Sequence, residues 1–318
     1  MEAQEISALS GNDAERPLWS VMIPTYNPRP EHLEQALRSV LMQDPGPDRM
    51  QIEVVDDCSP DVDVAALVKS IAGERVGFFR NAQNLGLAGS WNNCIDRSNG
   101  AWVHILHQDD YVLPGFYEHV KETAINHPDA ALIAVRSFFI GDAEIIESVS
   151  PRVPSLENGG RTVKDFYYTN PLNCPGVVVR RDFYKKHGGF RADLTFMLDA
   201  EMWTRAIGLC GGVIVPEVLA AFRHRTSGEN ATSRLLRSAE AFEDYARLAE
   251  IYAQRYSDFD LKRARLGICS HAMWRSRLAA QAGDKQAAEA MLSYWKRHAT
   301  VRQKARHFLG GLKRRVIG

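Results

Sequence analysis

Short apolar runs alternate with stretches of helical periodicity through the first third of the chain. The runs at residues 18–23, 51–55, 76–79 and 101–106 are brief and apolar, which predicts four short strands, the first of them buried. Residues 31–43 carry apolar side chains three and four positions apart, which predicts an amphipathic helix after the first strand. Strands that alternate with helices usually form a parallel sheet covered by helices on both faces. The pattern therefore predicts an α/β fold with a mostly parallel sheet flanked by helices.

The chain divides into three regions by composition. Residues 1–17 are polar and acidic, which predicts a flexible leader. Residues 18–232 hold the alternating pattern, and residues 233–318 have helical composition with interruptions mainly at Gly267 and Gly283. We therefore expect one α/β domain followed by a C-terminal helical appendage.

Charge and cysteine usage exclude several classes of function. The 318 residues include 39 Lys and Arg and 39 Asp and Glu, so no global electrostatic field attracts nucleic acid. The five cysteines are widely spaced with no CxxC pair, which is typical of reduced thiols in the cytoplasm. No apolar run is long enough to span a membrane. These features predict a cytoplasmic protein with no nucleic-acid partner.

A basic segment occupies residues 302–318, where six Lys and Arg stand among apolar residues. Such a segment is either a solvated helix face or an amphipathic surface that lies on an anionic membrane. Both interpretations stay open at this point. The second would place the protein peripherally at the inner face of a membrane.

Polar clusters follow three of the four predicted strands. They are PTYN at residues 24–27, DDCSP at 56–60 and HQDD at 107–110. In parallel sheets ligands bind beyond the carboxyl ends of the strands, so we expect these clusters to border one cleft. Adjacent carboxylates repel each other unless a cation compensates, and Mg²⁺ or Mn²⁺ is the usual cation beside diphosphate oxygens. A turn or a helix cap is the alternative interpretation of either Asp-Asp pair alone.

Seven sequence pieces in order carry a resemblance to a known family. The region from Trp19 to His224 resembles the inverting glycosyltransferases of family 2, which have a GT-A type fold and use nucleotide-sugar donors. The pieces are SVMIPTYN (20–27), VVDDCSPD (54–61), RNAQNLGLAGSWN (80–92), HQDDYVLPG (107–115), VVVRRDFYKKHGGF (177–190), MLDAEMWTR (197–205) and FRHRTSGENATS (222–233). The resemblance implies transfer of a sugar from a nucleotide diphosphate, with a UDP-sugar as the expected donor, to a glycan or lipid-linked acceptor.

The resemblance also implies roles for individual residues. The general base is expected at Asp199, with Glu201 as its fallback, although Leu198 stands where the family usually has Glu. The metal ligands are expected to be Asp110 and His224, holding Mn²⁺ or Mg²⁺. The expected contacts to the nucleotide-sugar are Pro24, Thr25, Tyr26, Asn27, Asp56, Asp57, Asn84, Gly86, Asn92, Gln108, Asp109 and Arg223. Which carboxylate of the 56–57 pair meets the base is left open.

Two other functions remain as alternatives. One is a nucleotide-sugar-binding module without catalysis, and the other is a nucleotidyltransferase on a related sheet. The second would normally need a phosphate loop rich in Gly, Lys and Arg after the first strand, and PTYNPRPEH has none. A dinucleotide-dependent oxidoreductase is excluded because no GxGxxG motif follows the first strand.

Overall fold

The chain folds into two compact units. The computed structural model describes residues 3–7, 16–141, 143–224, 235 and 237–305. The first unit comprises Met1–Asp193 and Leu198–Thr226, and the second comprises Leu194–Met197 and Ser227–Gly318. Within the described ranges, none of the helices combines the length and the apolar character needed to cross a bilayer.

Nine strands in the described part of the chain form one sheet in the first unit. They are β1 (Trp19–Thr25), β2 (Met50–Asp56), β3 (Gly77–Arg80), β4 (Trp102–Ile105), β5 (Tyr111–Val112), β6 (Leu132–Ile140), β7 (Ile146–Val149), β8 (Val177–Arg180) and β9 (Gly212–Arg223). Their order in the sheet is β3-β2-β1-β4-β8-β6-β9-β5, and β7 pairs with β6 outside this path.

The sheet is mixed. Strands β3, β2, β1 and β4 are parallel to one another, and β6 is parallel to β9. Strand β8 runs antiparallel to both β4 and β6, and β5 runs antiparallel to β9. The predicted α/β class with flanking helices is confirmed, and its parallel part is the β3-β2-β1-β4 half that carries the polar clusters.

Six helices of the first unit are α1 (Pro30–Leu41), α2 (Val64–Ala72), α3 (Gly86–Arg97), α4 (Phe116–Asn126), α5 (Arg181–His187) and α6 (Leu198–Cys210). Helix α1 shows how they cover the sheet. Its buried side chains include Leu33, Leu37 and Val40, which lie three and four residues apart on one face. Pro30 occupies its first turn, where a backbone N–H has no partner within the helix. The apolar stripe predicted at residues 31–43 is therefore the core-facing side of α1.

Residues 3–7 are held against the first unit, so the predicted flexible leader does not extend to them. Ile6 is buried, and the backbone N–H of Gly189 donates to the Gln4 carbonyl over 2.7 Å. The backbone N–H of Ser7 donates to Asp96 over 3.0 Å. One buried apolar side chain with hydrogen bonds on both sides is enough to order a short terminal segment.

The described part of the second unit includes three helices, α7 (Glu240–Arg255), α8 (Leu261–Gln281) and α9 (Lys285–His298). Phe242, Met291 and Tyr294 are among the buried residues of their shared core. Gly283 separates α8 from α9 with a φ of 80°, as its predicted role as an interruption requires. Gly267 does not interrupt the helix as predicted, because it lies inside α8.

Candidate functional site

The loops at the carboxyl ends of β1, β2 and β4 are tied together by side chains. The backbone N–H of Tyr26 donates to Gln108 Oε1 over 2.7 Å, and Gln108 Nε2 donates back to the Tyr26 carbonyl over 3.1 Å. Asn27 donates through its backbone to Ser59 Oγ over 2.8 Å and through its amide to Asp61 over 2.7 Å. The predicted cleft residues Tyr26, Asn27 and Gln108 therefore lie together at one edge of the sheet. Pro24 and Thr25 are the last two residues of β1 and are buried.

Asp56 ends β2 and has no exposed surface. Its carboxylate accepts hydrogen bonds from the hydroxyl and backbone N–H of Ser59 and from the guanidinium of Arg80. Arg80 also donates to the Ser59 carbonyl over 2.8 Å. The carboxylate therefore braces the loop after β2.

Asp57 caps the start of α3. Its Oδ1 accepts from Asn81 Nδ2 over 2.7 Å and from the Leu85 N–H over 2.9 Å, and its Oδ2 accepts from the Gly86 N–H over 3.1 Å. Gly86 has a φ of 70°, a conformation that favours glycine, and its N–H also meets Asn84 Oδ1 over 3.0 Å. The structure brings Asn84 and Gly86 to the same edge as the 56–57 pair.

Asn92 does not line this edge, which corrects its predicted nucleotide contact. Its amide is fully buried and pairs with the backbone of Phe190, donating over 2.8 Å and accepting over 2.7 Å. It also donates to Gln4 Oε1 over 2.9 Å. These bonds use the side-chain oxygen and nitrogen, so Asn92 fixes the chain before α6 and leaves nothing to offer a nucleotide.

His107, Asp109 and Asp110 form a compact group with the spacing of a metal site. One ligand atom from each lies within 4.8 Å of the others. His107 Nδ1 is 3.3 Å from Asp110 Oδ2, and His107 Nε2 and Asp110 Oδ2 are buried with no hydrogen-bond partner among the described residues. Burial raises the pKa of Asp110 to about 6, and the charge of Asp109 adds to the rise while His107 opposes it. Buried polar atoms without partners are costly, so this group is suited to receive a cation.

Arg223 stabilises the turn that carries Asp109 and Asp110, which corrects its predicted contact with the nucleotide-sugar. Its backbone N–H donates to Asp110 Oδ1 over 2.8 Å, and its Nε donates to the Asp109 carbonyl over 2.9 Å. Its two Nη atoms donate to Glu144 and, over 2.6 Å, to Gln35. The side chain is 2% exposed, so the guanidinium has little surface left for a ligand.

His224 follows β9 directly and is not one of the three clustered residues. Its backbone N–H donates to the Ile140 carbonyl over 2.8 Å. Its Nδ1 is buried and has no hydrogen-bond partner within the part of the chain that the structure describes.

Asp199 lies in the first turn of α6, where it accepts from the Ala200 N–H over 2.6 Å and from Asn170 Nδ2 over 3.4 Å. Burial raises the pKa of Asp199 to about 6, although these hydrogen bonds and the charge of His107 lower it in part. The buried Cys174 interacts electrostatically with His107, Asp110 and Asp199. These electrostatic interactions link Asp199 to the group at residues 107–110.

Glu201 is turned away from this region, contrary to its predicted role as the fallback base. It is fully buried, and Arg205 donates to its carboxylate over 3.1 to 3.2 Å. Arg205 also donates to the Gly189 carbonyl over 2.7 Å. A carboxylate whose charge holds a buried guanidinium has no access to a substrate hydroxyl.

Asn170, which donates to Asp199, was not predicted from the sequence. It lies in the NPLNCPG segment with Cys174, which the sequence places either in a turn or near the entry of the acceptor. The place of His107 near Asp110 could be predicted from the sequence, because His107 stands only three residues before Asp110 and a tight turn brings such residues together.

Comparison with known proteins identifies the family. The sequence model of "Glycosyl transferase family 2" matches residues 20–188. The amylovoran biosynthesis glycosyltransferase AmsE of Erwinia amylovora is 27% identical over 65% of this chain and 76% of its own length.

Solved structures share the fold. A mannosyltransferase from Pyrobaculum calidifontis, solved with GDP-Man and Mn²⁺, superposes with a TM-score of 0.55 and 16% identity over 96% of this chain and 82% of that chain. S. aureus TarS 1–349, solved with UDP-GlcNAc, superposes with a TM-score of 0.52 and 16% identity over 88% of this chain and 91% of that chain. These likenesses confirm the predicted GT-A type fold, and the family match covers more than half of the sequence. The chain belongs to glycosyl transferase family 2 and is a glycosyltransferase.

Proposed function

We propose that the chain transfers a sugar from a UDP-sugar to a hydroxyl group of a glycan or lipid-linked acceptor, with inversion at the transferred carbon and with a divalent cation. The observation that carries this proposal is the group at residues 107–110, whose buried unsatisfied atoms lie near a second carboxylate, Asp199. A cation site and a separate base are the two elements that such a transfer needs.

His107, Asp109 and Asp110 are the proposed holders of the cation. Carboxylates suit Mg²⁺ and Mn²⁺, and the imidazole nitrogen shifts the preference toward Mn²⁺. When bound, the cation would offset the negative charge that develops on the leaving diphosphate. His224 remains a candidate ligand because of its unsatisfied Nδ1.

The donor nucleotide is proposed to lie along the tied loops after β1 and β2. Tyr26 is exposed there, and Asn84 and Gly86 border the same edge. Asp57 retains slight exposure while Asp56 has none, so Asp57 is the better candidate for a direct contact. The TarS complex with UDP-GlcNAc and the mannosyltransferase complex with GDP-Man both support a nucleotide-sugar donor, and the choice of uridine follows from the family resemblance.

Asp199 is the proposed general base. It accepts the proton of the acceptor hydroxyl as that oxygen attacks the sugar from the side opposite the diphosphate, which inverts the configuration. A pKa of about 6 leaves it mostly ionised at neutral pH and still basic enough to take a proton. The short hydrogen bond from the Ala200 N–H and the longer one from Asn170 Nδ2 orient the carboxylate.

The acceptor and the location of the protein are proposed from a relative and from the cysteines. AmsE takes part in amylovoran biosynthesis, which supports a polysaccharide or its lipid-linked precursor as acceptor. All five cysteines are free thiols, as a reducing cytoplasm would keep them. The predicted contact of the basic tail with a membrane falls largely on residues 306–318, outside the described residues. Most of the 222–233 piece of the family resemblance also lies outside them.

Calorimetric titration with UDP, with and without Mn²⁺, tests the metal site. We expect Asp110→Ala to lose the Mn²⁺-dependent part of the affinity, while the control Asp129→Ala, at an exposed position, keeps it. Unchanged Mn²⁺-dependent affinity in Asp110→Ala would refute the site.

Transfer or hydrolysis assays with a panel of nucleotide-sugars test the base. We expect Asp199→Asn to bind donor normally and to turn over about 10² to 10⁴ times more slowly. Near-normal turnover in this variant would remove Asp199 from the mechanism. Donor binding without turnover in the unmodified protein would favour a binding module.

A further inference from the structure

Helices α8 and α9 of the second unit carry more basic than acidic residues, whereas α7 carries more acidic ones, and its Glu250 and Glu243 pair with Arg265 and Arg297. Residues 261–305 contain ten Lys and Arg against two acidic residues, Asp284 and Glu289, although the whole chain is neutral. Lys262, Lys296 and Lys304 are exposed. Such a concentration of one sign attracts an extended surface of the opposite sign.

Helix α8 also presents apolar side chains to solvent on one side. Leu266, Trp274 and Leu278 are 36%, 54% and 40% exposed, and with Ser270 they are spaced four residues apart, so they form one row along the helix. We call these four residues the α8 stripe. The five other tryptophans of the chain are each 7% exposed or less, so Trp274 is the exception.

Val301, a further exposed apolar residue, lies two positions before a residue that contacts α8. Gln303 Nε2 donates to the Leu266 carbonyl over 3.2 Å and to Ser270 Oγ over 3.4 Å, so residues 301–305 pack against this part of α8. Val301, in the same short segment, is 85% exposed. A further exposed apolar side chain therefore stands in the segment that contacts α8, beside Arg302 and Lys304 in sequence.

We propose that the α8 stripe docks on the surface of an anionic lipid bilayer. Trp and Leu enter the boundary between headgroups and acyl chains, and Lys and Arg meet the lipid phosphates while their stems lie along apolar surface. Because α8 is too polar to cross a bilayer, it lies in the plane of the surface. A second copy of the chain is disfavoured as the occupant, since it would bring the same positive charge to the contact.

Vesicle flotation with the full chain tests the docking. We expect binding to phosphatidylcholine vesicles that contain about one third phosphatidylglycerol, weak binding to phosphatidylcholine alone, and loss of binding at high salt. The double variant Trp274→Gln, Leu278→Gln should bind the anionic vesicles about tenfold or more weakly. The control Met42→Gln, Ile125→Gln removes two exposed apolar side chains of the first unit and should bind like the unmodified protein.

Tryptophan fluorescence gives a residue-specific readout. Because Trp274 is the exposed indole, anionic vesicles should shift its emission to shorter wavelength, and brominated lipids should quench it. The shift should be absent in Trp274→Phe, which keeps an apolar ring.

Four results would overturn the proposal. Three come from flotation: no binding to anionic vesicles, normal binding by the double variant, or loss of binding only when Lys313, Arg314 and Arg315 in the tail are changed to Gln. The fourth is sedimentation that shows a dimer of the unmodified protein and a monomer of the double variant, which would assign the stripe to a second copy. Donor binding is measured separately, so the proposed transfer reaction and this docking can fail independently.

Discussion

Acidification should destabilise the protein through His104, a histidine held neutral inside β4. It has no exposed surface, and its ring stacks on Phe116 with centroids 4.9 Å apart. Its Nε2 is 3.0 Å from the Pro175 carbonyl, which only accepts, so Nε2 carries the proton and Nδ1 accepts from the Tyr117 hydroxyl over 3.0 Å. This contact joins β4 to the segment that carries Cys174.

The magnitude follows from the pKa. Burial lowers the pKa of His104 from 6.5 to about 4, although the Pro175 carbonyl opposes this. Below pH 6.5 the unfolded chain therefore takes up a proton that the folded chain refuses until about pH 4. Stability from this group is complete above pH 6.5 and is lost as the pH falls. At about 1.4 kcal/mol per pH unit, the loss is about 2 kcal/mol between pH 7 and pH 5 and about 3 kcal/mol by pH 4.

Urea unfolding of the unmodified protein and of His104→Gln, at several pH values from 7 to 4, measures this loss. The amide of Gln can still donate toward Pro175, but it does not titrate. We expect the difference in free energy of unfolding between the two proteins to shrink by about 2 kcal/mol from pH 7 to pH 5. His119→Gln, which removes an exposed histidine, serves as the control. Parallel pH curves for the unmodified protein and His104→Gln would refute the argument.

Three further predictions concern the base, its neighbour and two glycines. If Asp199, with its pKa of about 6, is the base, kcat should fall about tenfold from pH 7 to pH 5, and a flat profile would contradict this. Glu201→Gln leaves the guanidinium of Arg205 buried without its charge partner, so urea unfolding should show a loss of about 3 kcal/mol or more, with little change in kcat per folded molecule. Gly100→Ala would place a Cβ 2.5 Å from a backbone carbon of Trp19 and should cost about 3 kcal/mol in thermal unfolding. The matched change Gly267→Ala, in open space on a helix, should stabilise by about 0.5 to 1 kcal/mol, and a stabilising Gly100→Ala would show that the contact relaxes.

The sequence predicted the part of the fold that rests on local patterns. Strands β1 to β4 are short apolar runs separated by amphipathic helices, and each run or periodic stretch predicts one strand or helix. The direction of β8 could not be predicted, because its apolar run Val177–Val179 is buried whichever way the strand points. The direction depends on the path of the chain before it, which has no periodic pattern.

The location of the site was also predictable, but the roles of several residues were not. Parallel strands bring their carboxyl ends to one edge, so PTYN, DDCSP and HQDD converge as expected. Asn92 and Arg223 are polar residues in matching motifs, yet their partners lie 98 and 113 positions away in sequence, at Phe190 and Asp110. Such distant pairings leave no local signal. The different roles of Asp199 and Glu201 were also not predictable from the sequence. The structure distinguishes them because Glu201 is buried in an ion pair with Arg205.

The reciprocal contacts between Tyr26 and Gln108, and between Asn27 and Asp61, bear on how a ligand would be received. Loops tied in this way move as a single rim and lose little conformational entropy when a ligand arrives. Gln108→Ala would remove the hydrogen bonds to Tyr26, so both loops would become more mobile. A change in one loop would therefore weaken ligand binding by the other. The rim is therefore preorganised for a ligand.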